Sequence, residues 1–197
     1  SDLARSEITD DLKKIGARIF LKKNINLKKT APDLAIYSLA AKNNPELRRV
    51  QDMGVKIMSY PQALGELTKK YRTVAVAGAH GKSTVTAMIG MMLAAAKFDP
   101  TVVVGTKVKS FKNTNFRSGK SDLLVIEACE YDRAFWNYFP DIAVVTNIEM
   151  DHIECYENEA NLCAAFGKFA GNLKPGGKLL VCADDAGAKK LGESMKK

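Results

Sequence analysis

Short apolar runs recur along the chain and alternate with longer segments of mixed polarity. Eight of these runs have the length and composition typical of β-strands. They lie at 17–21, 33–38, 55–59, 73–78, 101–106, 123–128, 142–148 and 178–183. Most are apolar at both odd and even positions, as strands of a parallel sheet are when helices cover both faces. The pattern therefore predicts an α/β protein built around a parallel sheet.

Helix start and stop signals fill the gaps between the predicted strands. An Asn-Pro pair followed by a later glycine predicts a helix at 45–53. The segment KSTVTAMIGMMLAAAK, at 82–97, is apolar nearly all round and favours a buried helix. Further helices are expected at 158–173, before the turn KPGG, and from Asp184 toward the C-terminus.

The distribution of charge indicates two domains. The first 70 residues contain 14 Lys and Arg against 8 Asp and Glu, whereas the remainder contains 16 against 14. We therefore expect α/β domains at 1–70 and 71–197. The basic run LKKNINLKK is interpreted either as a solvated loop or as a field that attracts an anion such as a nucleotide-sugar diphosphate. Nucleic acid is not expected as a partner, because the basic residues are not interleaved with aromatic ones.

Composition argues against a membrane or secreted protein. The sequence contains no apolar run of 18 residues, so we expect no membrane span. The N-terminal residues lack the basic and apolar parts of a secretory signal. The four cysteines form no CxxC pair, which favours reduced thiols and a cytoplasmic location.

A glycine turn follows the strand predicted at 73–78. The sequence GAHGKS has the order G-x-x-G-K-S, which is shorter than the common phosphate loop because Val76 stands where that loop has its first glycine. Glycines let several backbone N–H groups point into one concavity, and the following helix adds the positive end of its dipole. Lys82 is expected to reach a terminal phosphate, and Ser83 to ligate a magnesium ion.

Two more polar residues lie at the predicted ends of strands. Glu127 interrupts the end of the run LLVIEA, and His152 follows the run that begins at Ile142. Ligand crevices of open α/β sheets form at the carboxyl ends of strands. We therefore expect Ser83, Glu127 and His152 to converge on a divalent metal beside a triphosphate. A helix cap or an ion pair for the glutamate, and a satisfied hydrogen-bonding role for the histidine, remain the alternatives.

Three segments, in this order and spacing, resemble the Mur ligase family: GAHGKST at 78–84, EACEYDRAF at 127–135 and TNIEMDHIECY at 146–156. They are most like the members that join L-alanine to UDP-N-acetylmuramate. The resemblance implies a Rossmann-like uridine-nucleotide domain followed by a phosphate-loop domain with a three-layer parallel sheet. Both would be incomplete, because the family's first strand and C-terminal domain have no counterpart here. Such a fragment is expected to be inactive alone and prone to self-association.

The resemblance also implies a reaction used in peptidoglycan precursor synthesis. The substrate carboxylate takes the γ-phosphate of ATP to form an acyl phosphate, and the amine of L-alanine then displaces phosphate. Lys82, Glu127 and His152 would be catalytic, with Mg²⁺ held by Ser83, Glu127 and His152. The nucleotide would contact the loop residues Gly78, Ala79, His80, Gly81, Lys82, Ser83 and Thr84. A ligase that recycles a tripeptide onto the same sugar, or a non-catalytic nucleotide-binding module, remains the alternative.

Overall fold

The structure is a computed structural model that describes residues 4–21, 32–150 and 155–196. The chain divides into two compact units, 1–60 and 61–197. Two sequence predictions lie outside the described residues: the role of the basic run at 22–29 and the position of His152. No helix in the described ranges is both long enough and apolar enough to cross a membrane.

In its described residues, the first unit contains two short parallel strands, two α-helices and a 3-10 helix at Leu39–Ala41. Its elements are α1 (Glu7–Lys14), β1 (Leu34–Tyr37), α2 (Pro45–Asp52) and β2 (Lys56–Ser59). β1 and β2 pair in parallel, with Ala35 opposite Ile57. At the start of α2 the side chain of Asn44 accepts a hydrogen bond from Glu46 N, which is the cap predicted from the Asn-Pro pair.

The second unit is built on a six-stranded sheet. Its helices are α3 (Tyr60–Lys70), α4 (Lys82–Ala95), α5 (Glu159–Gly171) and α6 (Ala186–Ser194). Its strands are β3 (Arg72–Ala77), β4 (Thr101–Val108), β5 (Thr114–Arg117), β6 (Leu123–Glu127), β7 (Ile142–Val145) and β8 (Lys178–Val181). The strand order is β5-β4-β6-β3-β7-β8, and all neighbours are parallel except β4 and β5. The predicted α/β class with a largely parallel sheet is confirmed.

Alternation along the strands produces one hydrophobic core on each face of this sheet. On β6, Leu124 and Ile126 belong to one core and Val125 belongs to the other. The first core includes residues of α3, α5 and α6, whereas the second packs against α4. The two covered faces explain why the strands are apolar at successive positions.

Strands that follow β3 in the chain are added to the sheet on both sides of β3. From β3 the chain passes through α4 to β4 on one side, whereas from β6 it continues to β7 on the other side. β6 and β7 are the two neighbours of β3. In open α/β sheets such a switch point opens a crevice at the carboxyl ends of the strands. The turn after β3 lies at that edge.

Several elements differ from the sequence-based expectations. Residues 17–21 form no strand apart from one bridge at Leu21. β5 was not predicted, because TNFR is a short and polar edge strand. α3 was also not predicted, and it lies in the second unit although residues 60–70 were assigned to the first domain. The packing of α3 explains why it belongs to the second unit. Leu64 lies in the core of that unit, and Thr68 accepts a hydrogen bond from Phe139 N.

Candidate active site

The loop at 78–83 joins β3 to α4 at the carboxyl edge of the sheet. Gly78 has φ of 140°, and a Cβ built there would lie 2.0 Å from Thr146 Oγ1, so this position admits only glycine. Gly81, the N-cap of α4, is left-handed with φ of 78°. The two glycines of the motif therefore allow two backbone conformations that side chains would prevent.

Residues that follow β7 fix the tip of the loop. Thr146 Oγ1 donates to His80 O at 2.7 Å, and Asn147 Nδ2 donates to the same carbonyl at 3.0 Å. In the opposite direction, His80 N donates to Asn147 Oδ1 at 2.9 Å. The side chain of His80 is exposed, and its Nε2 lies 3.6 Å from Glu149 Oε2. These contacts hold the backbone of the loop in place and leave the imidazole at the rim.

Lys82, the first residue of α4, is folded back over the loop. Its Nζ donates to Gly78 O, to Ala79 O at 3.0 Å and to Glu130 Oε1 at 3.1 Å. The side chains of Lys82 and Glu130 are only 12% and 2% exposed, so this ion pair is buried. An ammonium in this position is next to any anion that enters the loop.

The neighbouring Ser83 contacts a different glutamate. Ser83 Oγ donates to Glu127 Oε2 at 2.8 Å, and the same oxygen accepts a hydrogen bond from Gly105 N at 2.7 Å. Glu127 ends β6 and pairs in register with Val76 of β3, which explains why it reaches the helix that follows the loop. A hydroxyl and a carboxylate oxygen are brought together here at the carboxyl edge of the sheet.

The N-terminus of α4 has the properties of an anion site. Among the described residues no side chain caps this terminus. Uncapped N–H groups and the helix dipole favour a bound anion such as a phosphate. With Lys82 beside them, they can neutralise the charge of a polyphosphate without acid-base chemistry.

The structure brings together most of the residues predicted for the site. Gly78, Ala79, His80, Gly81, Lys82, Ser83 and Thr84 form the loop and the first turn of α4, and Thr84 is exposed there. Glu127 contacts Ser83 as the metal prediction requires, whereas His152 lies outside the described residues. Within the described residues there is no cluster of three or more His, Cys, Asp or Glu side chains suited to a metal.

Three residues beside the loop were not predicted from the sequence. Glu130 contacts Lys82, while Thr146 and Asn147 hold the tip of the loop. Thr146 and Asn147 fall inside the strand predicted at 142–148, whereas β7 ends at Val145 and both residues follow it at the edge of the sheet. Glu130 follows β6 by three residues and offered only its acidic character as a signal.

Three other polar side chains after β6, those of Cys129, Tyr156 and Lys168, differ in burial. Burial raises the pKa of the Cys129 thiol, so this cysteine lacks the low pKa of a nucleophile. Burial also raises the pKa of Tyr156 to about 12, and Tyr156 Oη donates to Glu130 O at 2.6 Å. Lys168, a surface lysine of α5, places Nζ 3.8 Å from the ring centroid of Trp136. Tyr156 and Lys168 thus both contact the chain that follows β6.

Two family models match the chain in succession. The model of the Mur ligase family catalytic domain matches residues 1–72, and that of the Mur ligase middle domain matches residues 76–197. The second match includes the whole loop, both glutamates and the residues that follow β7.

Among curated proteins, the UDP-N-acetylmuramate–L-alanine ligase of Salinibacter ruber is 41% identical over 187 residues. The matched region covers 94% of this chain and 39% of that relative. The chain thus spans about two fifths of the length of the curated relatives it matches.

Two solved structures share the fold. A UDP-N-acetylmuramate:L-alanyl-γ-D-glutamyl-meso-diaminopimelate ligase from Neisseria meningitides has a TM-score of 0.85 at 21% identity, over 98% of this chain and 65% of that one. A MurF ligase from Thermotoga maritima in complex with ADP has a TM-score of 0.53 at 16% identity, over 82% of this chain and 44% of that one. At these identities the two likenesses establish the fold alone.

Proposed function

This chain belongs to the Mur ligase family, and we propose that it acts in an ATP-dependent ligase that joins L-alanine to the lactyl carboxylate of UDP-N-acetylmuramate. The observation that carries the proposal is 41% identity, over 94% of the chain, to a ligase of that name, with the phosphate loop inside the matched region. The product would be a peptidoglycan precursor. We assign the reaction to the cytoplasm, in keeping with four free cysteines.

The chemistry requires an activated acyl group, because a carboxylate does not react with an amine in water. A carboxylate oxygen of the sugar attacks the γ-phosphorus of ATP, a new P–O bond forms, and the bond to the β-phosphate oxygen breaks to release ADP. The amine of L-alanine then attacks the acyl carbon, and phosphate leaves with the carboxylate oxygen. The phosphoryl step depends on positioning and charge neutralisation, which the loop is suited to provide.

The residues of the loop have separate parts in this proposal. Lys82 and the N–H groups at the start of α4 bind phosphate oxygens and stabilise the charge that is transferred. The backbone of the loop is fixed from behind by Asn147 and Thr146, so these donors need little reorganisation when the nucleotide binds.

The oxygen atoms of Ser83 and Glu127 are suited to Mg²⁺, which prefers hard oxygen ligands. Their 2.8 Å contact places two such atoms together at the edge of the sheet. Bound there, Mg²⁺ would neutralise charge on the phosphates. We propose His152 as the third residue of this set, as the sequence predicted.

The proposal is tested by phosphate release from ATP, measured on protein that contains this sequence at the length of its relatives. Turnover on the order of 1 per second should require UDP-N-acetylmuramate, L-alanine and Mg²⁺ together. Release with the tripeptide L-alanyl-γ-D-glutamyl-meso-diaminopimelate in place of L-alanine would instead indicate the recycling ligase. ATP binding by Lys82→Met equal to that of the wild type would contradict the role of the loop.

A further inference from the structure

The ammonium of Lys82 has no donor left for a phosphate in this conformation. A lysine ammonium has three N–H donors. Two of them are directed to Gly78 O and Ala79 O, and the third is directed to Glu130 Oε1. Lys82 must therefore give up at least one of these acceptors before it can donate to a nucleotide.

Glu130 relies on Lys82 for its counter-charge. The side chain of Glu130 is 2% exposed, so water does not solvate its charge. In the part of the chain that the structure describes, Glu130 Oε2 is buried without a hydrogen-bond partner. Lys82 thus provides the counter-charge, and loss of that contact would leave a buried carboxylate uncompensated.

The backbone on either side keeps this carboxylate where it is. Glu130 O accepts hydrogen bonds from Tyr156 Oη at 2.6 Å and from Arg133 N at 2.9 Å. The next turn is built from Asp132 and Arg133, which have φ of 49° and 56°, values that non-glycine residues rarely adopt. Glu130 therefore cannot easily follow Lys82 when the ammonium turns toward a ligand.

We propose that Glu130 is an internal counter-ion that competes with nucleotide phosphate for Lys82 and so determines the phosphate affinity of the loop. The carboxylate neutralises the lysine while the loop is empty, and an entering polyphosphate must replace it. The competition would select ligands with several negative charges over single anions such as inorganic phosphate. This inference rests on the proposed function in one respect, the binding of ATP by this loop.

The sign of the effect follows from which state the pair stabilises. The Lys82–Glu130 contact is complete in this conformation and is weakened when Lys82 turns to phosphate. A contact that stabilises the empty state more than the bound state lowers affinity. Glu130→Gln keeps the shape and one acceptor oxygen but removes the charge, so the variant should bind nucleotide more tightly. A purely structural residue would weaken both states alike and leave affinity unchanged.

The test is calorimetric titration of wild type and Glu130→Gln with ATP, with tripolyphosphate and with inorganic phosphate. We expect Glu130→Gln to bind ATP and tripolyphosphate at least about 5-fold more tightly than the wild type does. The ratio of its affinity for tripolyphosphate to its affinity for inorganic phosphate should be smaller than in the wild type. Glu149→Gln is the matched control, because it removes one exposed negative charge at the rim near the loop without touching Lys82. Its affinity should change by less than about twofold.

If Glu130→Gln binds ATP no more tightly than the wild type does, the inference is overturned. The proposed function would still stand in that case, provided that the wild type binds ATP. Absence of binding by both proteins would contradict both proposals. If Glu130→Gln is unfolded after purification, tripolyphosphate should restore the folded state, because it supplies the missing anion to Lys82. Unfolding that tripolyphosphate does not reverse would also overturn the inference.

Discussion

The two glutamates after β6 lie three residues apart and hold adjacent residues of α4 in different surroundings. Glu127 is half-buried at the end of the strand and accepts hydrogen bonds from Ser83 Oγ and Gly105 N. Glu130 is buried and forms an ion pair with Lys82. The first carboxylate is partly exposed at the edge of the sheet, whereas the second is almost fully buried beside the lysine.

The degree of burial gives these two glutamates different roles. A partly exposed carboxylate beside a hydroxyl can exchange protein donors for a cation at small cost, as metal binding requires. A buried carboxylate is destabilising without its counter-charge, so the ion pair of Glu130 with Lys82 contributes to the stability of the loop in this conformation. We therefore expect substitutions of Glu127 to affect turnover and substitutions of Glu130 to affect the free energy of unfolding.

Glu130→Gln should give the largest change in stability. Removing one charge of a buried pair leaves Lys82 uncompensated, and we expect the free energy of unfolding to fall by about 3 kcal/mol. Urea denaturation without nucleotide measures this value. The double variant Lys82→Met/Glu130→Met should recover most of the loss because it removes both charges. If the free energy of unfolding of Glu130→Gln fell by less than about 0.5 kcal/mol, the change would be that of a surface substitution. That result would contradict the stabilising role of Glu130.

Glu127→Gln should lower turnover about 100-fold, because a carboxylate that serves the transferred phosphate is replaced by a neutral amide. ATP affinity and the free energy of unfolding should change little. Phosphate release at saturating substrates, together with ATP titration, separates these quantities. Turnover equal to that of the wild type would assign Glu127 a structural role only.

Gly105→Ala tests the position of the Glu127 carboxylate rather than its charge. A Cβ at Gly105 would lie 2.7 Å from Glu127 Oε1, and the flexible end of the glutamate would have to move. Turnover should fall about 10-fold while the protein stays folded, since catalysis by positioning is sensitive to small displacements. Full activity in this variant would show that turnover does not depend on the present position of the Glu127 carboxylate.

Tyr156→Phe should have the smallest effect. It removes the hydrogen bond to Glu130 O, although Arg133 N still donates to that carbonyl, so the loss should be about 1 kcal/mol at neutral pH. Burial raises the pKa of Tyr156 to about 12, above its value in the unfolded chain. The wild type should therefore lose this contribution as pH rises from about 10 toward 12. Urea unfolding curves of the wild type and of Tyr156→Phe at several pH values measure the difference in their free energies of unfolding. This difference should become smaller as pH rises from about 10 toward 12, and a constant difference would contradict the prediction.

The sequence predicted the parts of the fold that follow from local patterns. β3, β6 and α4 are long or strongly apolar and are bounded by glycine, proline or turn residues, so their type was clear. α1 and β5 were missed because EITDDLKK and TNFR contain few apolar residues. α3 was missed because its buried face depends on packing against residues distant in the sequence, such as Phe139.

The site was predictable where its motif is local. The loop at 78–84 and its contact with the end of a parallel strand followed from spacing and from the topology of such sheets. The ion pair of Lys82 with Glu130 did not, because it depends on a turn in which Asp132 and Arg133 adopt positive φ. No local pattern of residue types indicates that such a turn will bury an acid beside a lysine 48 positions earlier.

The proposed function requires this site to transfer the γ-phosphate of ATP to a carboxylate. The most direct measurement uses UDP-N-acetylmuramate labelled with ¹⁸O in its lactyl carboxylate, with ATP, Mg²⁺ and L-alanine, followed by mass analysis of the released phosphate. If an acyl phosphate forms, each inorganic phosphate should carry one oxygen from the carboxylate, and ADP should carry none. Product formation with unlabelled phosphate would contradict the account, because it would mean that the carboxylate never received the phosphoryl group.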